Sequence, residues 1–447
     1  MPEPETPLAE RPWEDVARML GVDDALARVL AAVAPLPAVA VPLLDALDLV
    51  LVEDVIADAD IPPFRNSAMD GYAVRAADTA AASTDRPVRL RVVGNLAAGY
   101  AAGVTVGPGQ AARIMTGAPM PAGADAVVRF EETNERGAHL RPGAAAARPW
   151  VAVLRPAKPW DNARPAGEDV RAGEATIRAG TRLRPAEIGL LAALGRDEAL
   201  VHRRPRVAIL STGDEVIGDG GTLAPGQIRD SNGAMLAAMT LRAGGVPTRL
   251  GVARDAVADL TERLEAARAC DLILTSGGVS LGDYDLVKDV LRTAGQIDIW
   301  QVRMKPGKPL AFGHVGGTPL LGLPGNPVAA AVSFEVFGRA AIRRMLGRRD
   351  LAPPVVEATL TERVDNRGYR RHYVRALVER GAEGTLTVRP AGQQGAGVLS
   401  SLARANGLMI VSETVVAAEV GDRLPVWMLD WDLGAAAEID GAVPTEG

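Results

Sequence analysis

The sequence predicts a multidomain subunit of class α/β plus β. It has a central doubly wound α/β domain, a β-rich inserted domain before it and a β-rich C-terminal region after it. Between residues 185 and 345, short apolar strand-like runs alternate with helical ones, the rhythm of βαβ units stacked on a parallel sheet with both faces covered. Between Gly71 and about Arg148, and again from 352 to about 430, short β-rich runs are separated by Gly- and Pro-containing turns. The length, 447 residues, suits about three domains at roughly 150 residues each.

Taken in order, residues 13–34 read as one or two short amphipathic helices, with Val16, Leu20, Leu26, Val29 and Leu30 at helical spacing. Pro42 to Leu49 reads as a further helix with proline in its first turn. Ile61-Pro62-Pro63-Phe64-Arg65-Asn66-Ser67 is extended, because consecutive prolines remove donors and bias the preceding residues away from the helical region. Strands follow at Val88–Val93, Ala111–Met115 and Ala126–Phe130, and residues 151–183 resume a different piece that completes the N-terminal domain discontinuously. In the α/β segment the strands are Val207–Leu210, Leu272–Thr275, Ile299–Val302 and Leu320–Leu323. Helices fall at 233–243, 256–268, 284–293 and 328–345. The C-terminal strands are Val355–Leu360, Tyr373–Val378, Leu386–Val388 and Leu408–Val411, with a frayed end from Ala435.

Composition excludes several function classes. Apolar residues make up 48% and charged residues 23%, an ordinary globular balance. The net charge of −6 leaves no basic footprint for nucleic acid. The single cysteine, Cys270, rules out a disulfide framework and reads as a small buried hydrophobe. The four histidines (139, 202, 314, 372) never fall at paired ligand spacing, which argues against zinc. They also offer no partner for a nucleophilic serine. The first twenty residues carry five acids and no apolar core, unlike a signal peptide. No run of about 18 apolar residues occurs, so the expected setting is cytoplasmic, without membrane insertion.

Chemistry is expected at the carboxyl ends of the α/β strands, where ligands sit in open sheets. Three loops lie there: Ser211-Thr212-Gly213-Asp214-Glu215, Thr275-Ser276-Gly277-Gly278-Val279-Ser280 with Asp283 and Asp285 beyond, and Gly322-Leu323-Pro324-Gly325-Asn326-Pro327. In the third, Asn326 suits an N-cap and Pro327 the first helical position. Glycines let backbone amides approach an anion, and helix dipoles add positive potential. Any one such loop can be a plain helix start; three on one rim favour a phosphate-like anion. Glu215, Asp283 and Asp285 would repel that anion unless a cation bridges them, a role that suits Mg²⁺; alternatively, Glu215 and Asp285 simply favour helix N-termini. Only four of the 49 basic residues are lysines, and two of them, Lys305 and Lys308, lie in Met304-Lys305-Pro306-Gly307-Lys308-Pro309. The scarcity of lysine itself fits a broad substitution bias toward arginine; a site needing a compact ammonium would nevertheless keep lysine there. Asp70-Gly71, read locally, is a turn.

The motifs together resemble the molybdopterin molybdenumtransferase family, to which the gephyrin E domain is similar. They are I-P-P-F-R-N-S-A-M-D-G-Y-A-V at 61–74, R-I-M-T-G-A-P-M-P-A-G-A-D-A-V-V at 113–128, S-T-G-D-E-V at 211–216, S-G-G-V-S-L-G-D-Y-D at 276–285, K-P-G-K-P at 305–309 and G-L-P-G-N-P-V at 322–328. The resemblance implies an elongated homodimer of four-domain subunits. Domain I would be 10–60 with 150–183, domain II 61–149, domain III 184–345, domain IV a β-barrel over 346–430, and 431–447 a flexible tail. It implies a reaction in which molybdenum from molybdate enters adenylyl-molybdopterin and AMP leaves, with Mg²⁺ required.

By the same resemblance, Asp70, Glu215, Asp285, Lys305 and Lys308 are catalytic, and Glu215 and Asp285 hold Mg²⁺. Thr116, Asp169, Thr212, Gly213, Asp214, Ser276, Gly277, Gly278, Ser280, Pro324, Gly325, Asn326, Arg370 (or its neighbour Arg371) and Ser400 bind substrate. In the family dimer the loop bearing Asp70 approaches domain III of the other subunit, which would lift Asp70 out of its turn reading. A protein partner is also implied as an option, since gephyrin-like relatives act as scaffolds for peptide segments; the intact acidic and lysine positions favour an enzyme.

Overall fold

A computed structural model of the chain describes residues 18–135, 149–218, 220–254, 256–278, 295–381 and 384–431. The expected helix at 284–293, Ser280, Asp283, Asp285 and the C-terminal end from Ala435 lie outside the described residues. The chain divides into two compact units: residues 41–47 with 51–199, and residues 1–40, 48–50 and 200–447.

Near the start of the larger unit, α1 (Val22–Ala31) buries Val22, Ala25 and Val29 along one stripe, as 3.6-residue spacing requires. The helix expected from Pro42 does not form. Pro42 instead ends a short strand (Ala38–Pro42). The chain then makes a single turn, with the N–H groups of Asp45 and Ala46 both donating to Pro42 O, and leaves it through Asp48 at φ +68°. A left-handed residue at that point stops propagation, whatever the proline start favours.

The smaller unit is built on a five-stranded sheet: β1 (Gly71–Val74), β2 (Val88–Leu96), β3 (Gln110–Ile114), β4 (Ala126–Arg129) and β5 (Trp150–Val153), in the spatial order β4-β1-β3-β2-β5. All three strands expected here are present. The sheet also takes in Gly71–Val74 and extends past residue 149 through β5, which pairs antiparallel with β2. Gly71 is not in a turn. It opens β1, and a Cβ there would fall 2.0 Å from the Val128 carbonyl oxygen of β4, so only glycine lets the two strands close. One face packs Tyr72, Val74, Leu90, Val128 and Phe130, with Tyr72 and Phe130 edge to face at 5.7 Å. The proline-rich segment 61–67 is non-helical as expected, but it bends at 62–64 after a cis Ile61–Pro62 bond and is extended only at Asn66–Ser67. It is held beside the 163–170 segment by Asn66↔Arg164, Ser67↔Ala163 and the Ile61–Val170 bridge. Helix α2 (Pro185–Ala193) follows, closed at its start by the Arg184–Glu187 pair at 2.6 Å.

In the larger unit a six-stranded sheet contains β6 (Arg206–Thr212), β7 (Val246–Ala253), β8 (Leu272–Ser276), β9 (Gly295–Gln301), β10 (Pro309–Val315) and β11 (Thr318–Leu323), ordered β7-β6-β8-β11-β10-β9. The first four are mutually parallel. β10 pairs antiparallel with both β11 and β9, so it alone runs against the others and the sheet is mixed, not wholly parallel as the alternating pattern suggested. α3 (Ser231–Ala243) and α4 (Val257–Ala267) match the expected helices. The expected helix 328–345 is α5 (Pro327–Ser333), a π-helical turn (Phe334–Gly338) and α6 (Arg339–Met345) in succession. It is buried almost all round, and the buried pair Glu335–Arg339 at 2.8 Å satisfies charges that its apolar surroundings could not.

The C-terminal strands β12 (Val355–Leu360), β13 (Arg371–Arg380), β14 (Leu386–Pro390), β15 (Gly407–Val411) and β16 (Arg423–Met428) follow the order β13-β14-β12-β16-β15. Direct pairing of β13 with β15 closes the ring into a barrel. Its interior is lined by Val374, Ala376, Val378, Val388, Met409 and Val426. The two-residue strand Met304–Lys305 adds to β13 in parallel.

Candidate functional site

The three rim loops are neighbours in space. β6, β8 and β11 are adjacent and parallel, with Ser211 opposite Ser276 and Ser276 opposite Leu323, so their carboxyl ends reach the same edge. Gly277, at φ +91°, donates its N–H to Leu323 O at 3.1 Å, and a Cβ there would sit 2.8 Å from Thr212 Oγ1. The first and second loops touch only because position 277 has no side chain. The third loop closes on the second, with the Cβ direction of Gly325 pointing 3.6 Å from Gly277 Cα. Thr212 Oγ1 donates to Ser276 O at 3.3 Å. Thr212 and Ser276 are buried, whereas Asp214, Glu215, Gly325 and Asn326 are exposed. Asn326 does occupy the N-cap position of α5, but its side chain makes no capping bond.

Sequence reasoning missed the residue that ties this rim together. Asn232 Nδ2 donates to both Ser276 Oγ and Gly325 O, each at 2.7 Å. Asp230 caps α3 by accepting from the Gly233 N–H at 2.8 Å and also accepts from Ser211 Oγ at 2.7 Å. The signal was present in Asp230-Ser231-Asn232-Gly233, an N-cap sequence in a helix not otherwise counted as part of the site.

A second cluster in the same unit is cationic. The Lys305–Lys308 turn, closed by Val302 N–H donating to Lys308 O at 2.7 Å, packs on α5; a Cβ at Gly307 would lie 2.5 Å from Ser333 Oγ. Lys305 stands opposite His372 across the short parallel pairing. Burial above all, then the Arg370 and Arg375 charges, pushes the Lys305 ammonium below the usual lysine range, with Asp365 opposing. His372 is 2% exposed, and neither ring nitrogen has a partner. Burial and the same three cations hold its pKa down to about 3. Arg375 is fully buried and lowered to about 10 by burial. Its Nε donates to Ser401 Oγ at 3.1 Å and its Nη2 to Gln393 O and Gly395 O, both at 3.0 Å. Of the two expected arginines, Arg371 is committed to Asp23 (2.8 Å) and Glu413 (3.2 Å); burial lowers Arg370. Ser400 is exposed, and the serine bonded to the cluster is Ser401. The barrel loop reaches the start of α5 through Val328 N–H donating to Ala396 O at 3.0 Å.

In the smaller unit Asp70 is exposed, and its Oδ1 accepts from both the N–H (2.7 Å) and the Oγ1 (2.8 Å) of Thr116. The expected pair is thus brought together, on loops stitched by Gly117 N–H to Ser67 O (2.8 Å) and Ser67 N–H to Ala118 O (3.0 Å). Asp169 is exposed on the neighbouring segment, its N–H donating to Ile61 O at 3.0 Å. Among the described residues no three His, Cys, Asp or Glu side chains gather as a metal site, and no helix is long and apolar enough to cross a membrane.

Three family profiles match in order: the MoeA N-terminal region (domain I and II) over 20–195, a probable molybdopterin binding domain over 208–344, and the MoeA C-terminal region (domain IV) over 357–429. The chain is 42% identical to molybdopterin molybdenumtransferase 2 of Mycobacterium tuberculosis over 398 residues, covering 88% of this chain and 95% of that one. It is 36% identical to the molybdopterin molybdenumtransferase of Bacillus subtilis, covering 88% and 90%. A molybdopterin biosynthesis MoeA protein of Pyrococcus horikoshii OT3 superposes with a TM-score of 0.75 at 30% identity, over 92% of this chain and all of that one.

Proposed function

The chain belongs to the MoeA family of molybdopterin molybdenumtransferases, and from that premise we propose that it transfers molybdenum from molybdate into adenylyl-molybdopterin and releases AMP, in molybdenum cofactor biosynthesis. The observation that carries the reading is the cationic cluster of half-buried Lys305 and Arg370 with buried Arg375, gathered around a neutral His372 and packed against the helix that starts at the anion-ready rim. A protein of net charge −6 needs such local positive charge to hold a polyanionic substrate.

In this mechanism the amide-lined loops at Gly213, Gly277, Gly278 and Gly325 take the phosphates of the substrate, with Thr212, Asp214, Ser276, Pro324 and Asn326 shaping the same rim. Lys305, Lys308 and Arg370 hold the molybdate oxyanion, which is a substrate and carries two negative charges in water. Breaking a phosphoanhydride bond calls chiefly for positioning and charge stabilisation, so no cysteine or histidine nucleophile is required. Glu215, exposed at the rim with its carboxylate folded over Gly213, fits as one of the one or two protein carboxylates that Mg²⁺ commonly takes alongside substrate phosphates; Asp285 is its proposed companion. When bound, that ion would neutralise phosphate charge.

We further propose a homodimer in which the partner subunit's Asp70 and the partner subunit's Thr116 complete this site, with Asp169 lining the same cleft and Ser400 at its barrel side. The four-domain division (10–60 with 150–183, 61–149, 184–345, 346–430) is proposed on the same footing, except that β5 (Trp150–Val153) belongs with the inserted sheet. The test is AMP release from adenylyl-molybdopterin with Mg²⁺, with and without molybdate. Wild type should release AMP only with molybdate, and Lys305→Ala should lose most of that dependence. A folded wild type that releases none refutes the reading.

A further inference from the structure

Two neighbouring residues that are not glycine adopt left-handed backbone in the smaller unit: Trp160 at φ +72° and Asn162 at φ +56°. Bulky L-residues rarely accept this conformation, and it is retained where the surroundings over-determine it. Here they do. Trp160 N–H donates to Asp125 O at 2.5 Å, Val127 N–H to Asp161 O at 2.9 Å, and Asn162 Nδ2 to Val127 O at 2.8 Å. The loop is also joined to the one carrying Asp70, because Ala68 N–H donates to Asn162 O at 2.8 Å. Glycine would make this turn without strain, and packing does not demand an indole, since Trp160 is 50% exposed. What the indole does have is Arg65, whose guanidinium carbon lies 3.7 Å from the ring centroid. The Arg65 backbone is pinned in turn by Met120 N–H donating to its O at 3.0 Å.

We infer that Trp160 and Arg65 form a recognition platform for a flat nitrogen heterocycle bearing a phosphate. The indole face offers stacking, and the guanidinium, held against it, offers charge-assisted bonds to phosphate. The inference rests on the transferase reading, in which the Asp70 loop belongs to the substrate site. It adds a ring-recognition element on the same rigid loop pair, and the ring is either the adenine or the pterin of the substrate.

The test compares wild type, Trp160→Gly and Trp160→Phe as full chains. Trp160→Gly should keep Tm within about 3 °C of wild type, because relief of the left-handed backbone offsets the lost contact with Arg65. It should nevertheless weaken AMP binding, raise KM for adenylyl-molybdopterin, or both, by about 5- to 50-fold, in line with ring stacking on aromatic side chains. Trp160→Phe should retain most affinity. A change in AMP affinity assigns the adenine, and a change confined to KM assigns the pterin. If neither moves more than twofold in a folded Trp160→Gly, the inference is overturned while the transferase reading stands. A wild type that binds no AMP and turns over no substrate overturns both. A variant that changes only its oligomeric mass on dilution makes the indole a protein contact and also overturns it. Should the glycine variant not fold, Trp160→Leu, apolar but without a ring, carries the same comparison.

Discussion

Replacing Asn232 with alanine tests whether the rim is one mechanical unit. Its amide donates two hydrogen bonds of 2.7 Å, to Ser276 Oγ and to Gly325 O. Ser276 is 3% exposed, so losing its donor leaves a buried polar atom at about 1–3 kcal/mol. Gly325 is exposed; water can replace part of that bond, leaving about 0.5–1.5 kcal/mol. Against this, alanine is better than asparagine in the first turns of α3 by about 0.6 kcal/mol. The net expectation is about 1–4 kcal/mol lost from the larger unit, read as a shift in urea midpoint at unchanged slope. Because the Gly325 loop is also released from the Gly277 loop, KM for adenylyl-molybdopterin should rise at least about tenfold, the equivalent of one charge-assisted bond. Asn232→Asp should be worse, since a carboxylate would face the Gly325 carbonyl. An Asn232→Ala protein within 0.5 kcal/mol of wild type and with unchanged KM would refute the reasoning.

Three further outcomes are expected. Gly71→Ala places a Cβ 2.0 Å from Val128 O; separating β1 from β4 should cost about 3 kcal/mol or more, and a normal thermal melt of the smaller unit would contradict it. Asp70→Asn keeps an acceptor for both Thr116 donors, so stability should change by less than about 0.5 kcal/mol while AMP release falls by about 10²; equal loss of both would make Asp70 structural. His372 has a folded pKa of about 3 against 6.5 in the unfolded chain. Between those values only the unfolded chain binds the extra proton, so stability rises with pH across that window, by up to about 1.4 kcal/mol per unit, and is level in this respect above it. His372→Gln should flatten that acid limb in urea melts at pH 4–7, and an unaltered limb would remove His372 as its cause.

What could be read from the sequence followed periodicity and position. The strands entering β6, β8 and β11 are buried on both faces, so they announce themselves as apolar runs, and their placement put the three glycine loops on one rim before any geometry was known. β7 was invisible because it lies at the sheet edge and tolerates Pro247 and Gly251. β10 begins at Pro309 and contains Gly313 and His314, which dilute its strand pattern, and it was not among the strands expected. Gly71 misled in the opposite direction: Asp-Gly is ordinarily turn chemistry, yet here glycine answers a carbonyl 57 residues away in sequence. The same holds for Asn232, His372 and Arg375. Each is defined by residues far along the chain, and local pattern carries no information about who those neighbours are.

The cationic end of the barrel also explains why lysine survives in so arginine-rich a chain. Arg375 is enclosed by fixed acceptors, Ser401 Oγ and the carbonyls of Gln393 and Gly395, a planar fork matched to planar partners. Lys305 has no such cage. It lies half-buried beside Arg370, Arg375 and a neutral imidazole, with burial above all holding its ammonium below the usual lysine range. Like charges gathered out of water destabilise the folded chain. Here the nearby Asp365 is itself paired to Arg363 at 2.7 Å and relieves little of it. An arriving oxyanion would remove that cost, raising the lysine pKa and giving the imidazole N–H an acceptor at the same time. A guanidinium at 305 would demand the planar acceptors that Arg375 has; a compact ammonium can meet an oxyanion without them. On this view the barrel is more than a support for the α/β rim: it holds an electrostatic deficit that only a bound anion corrects.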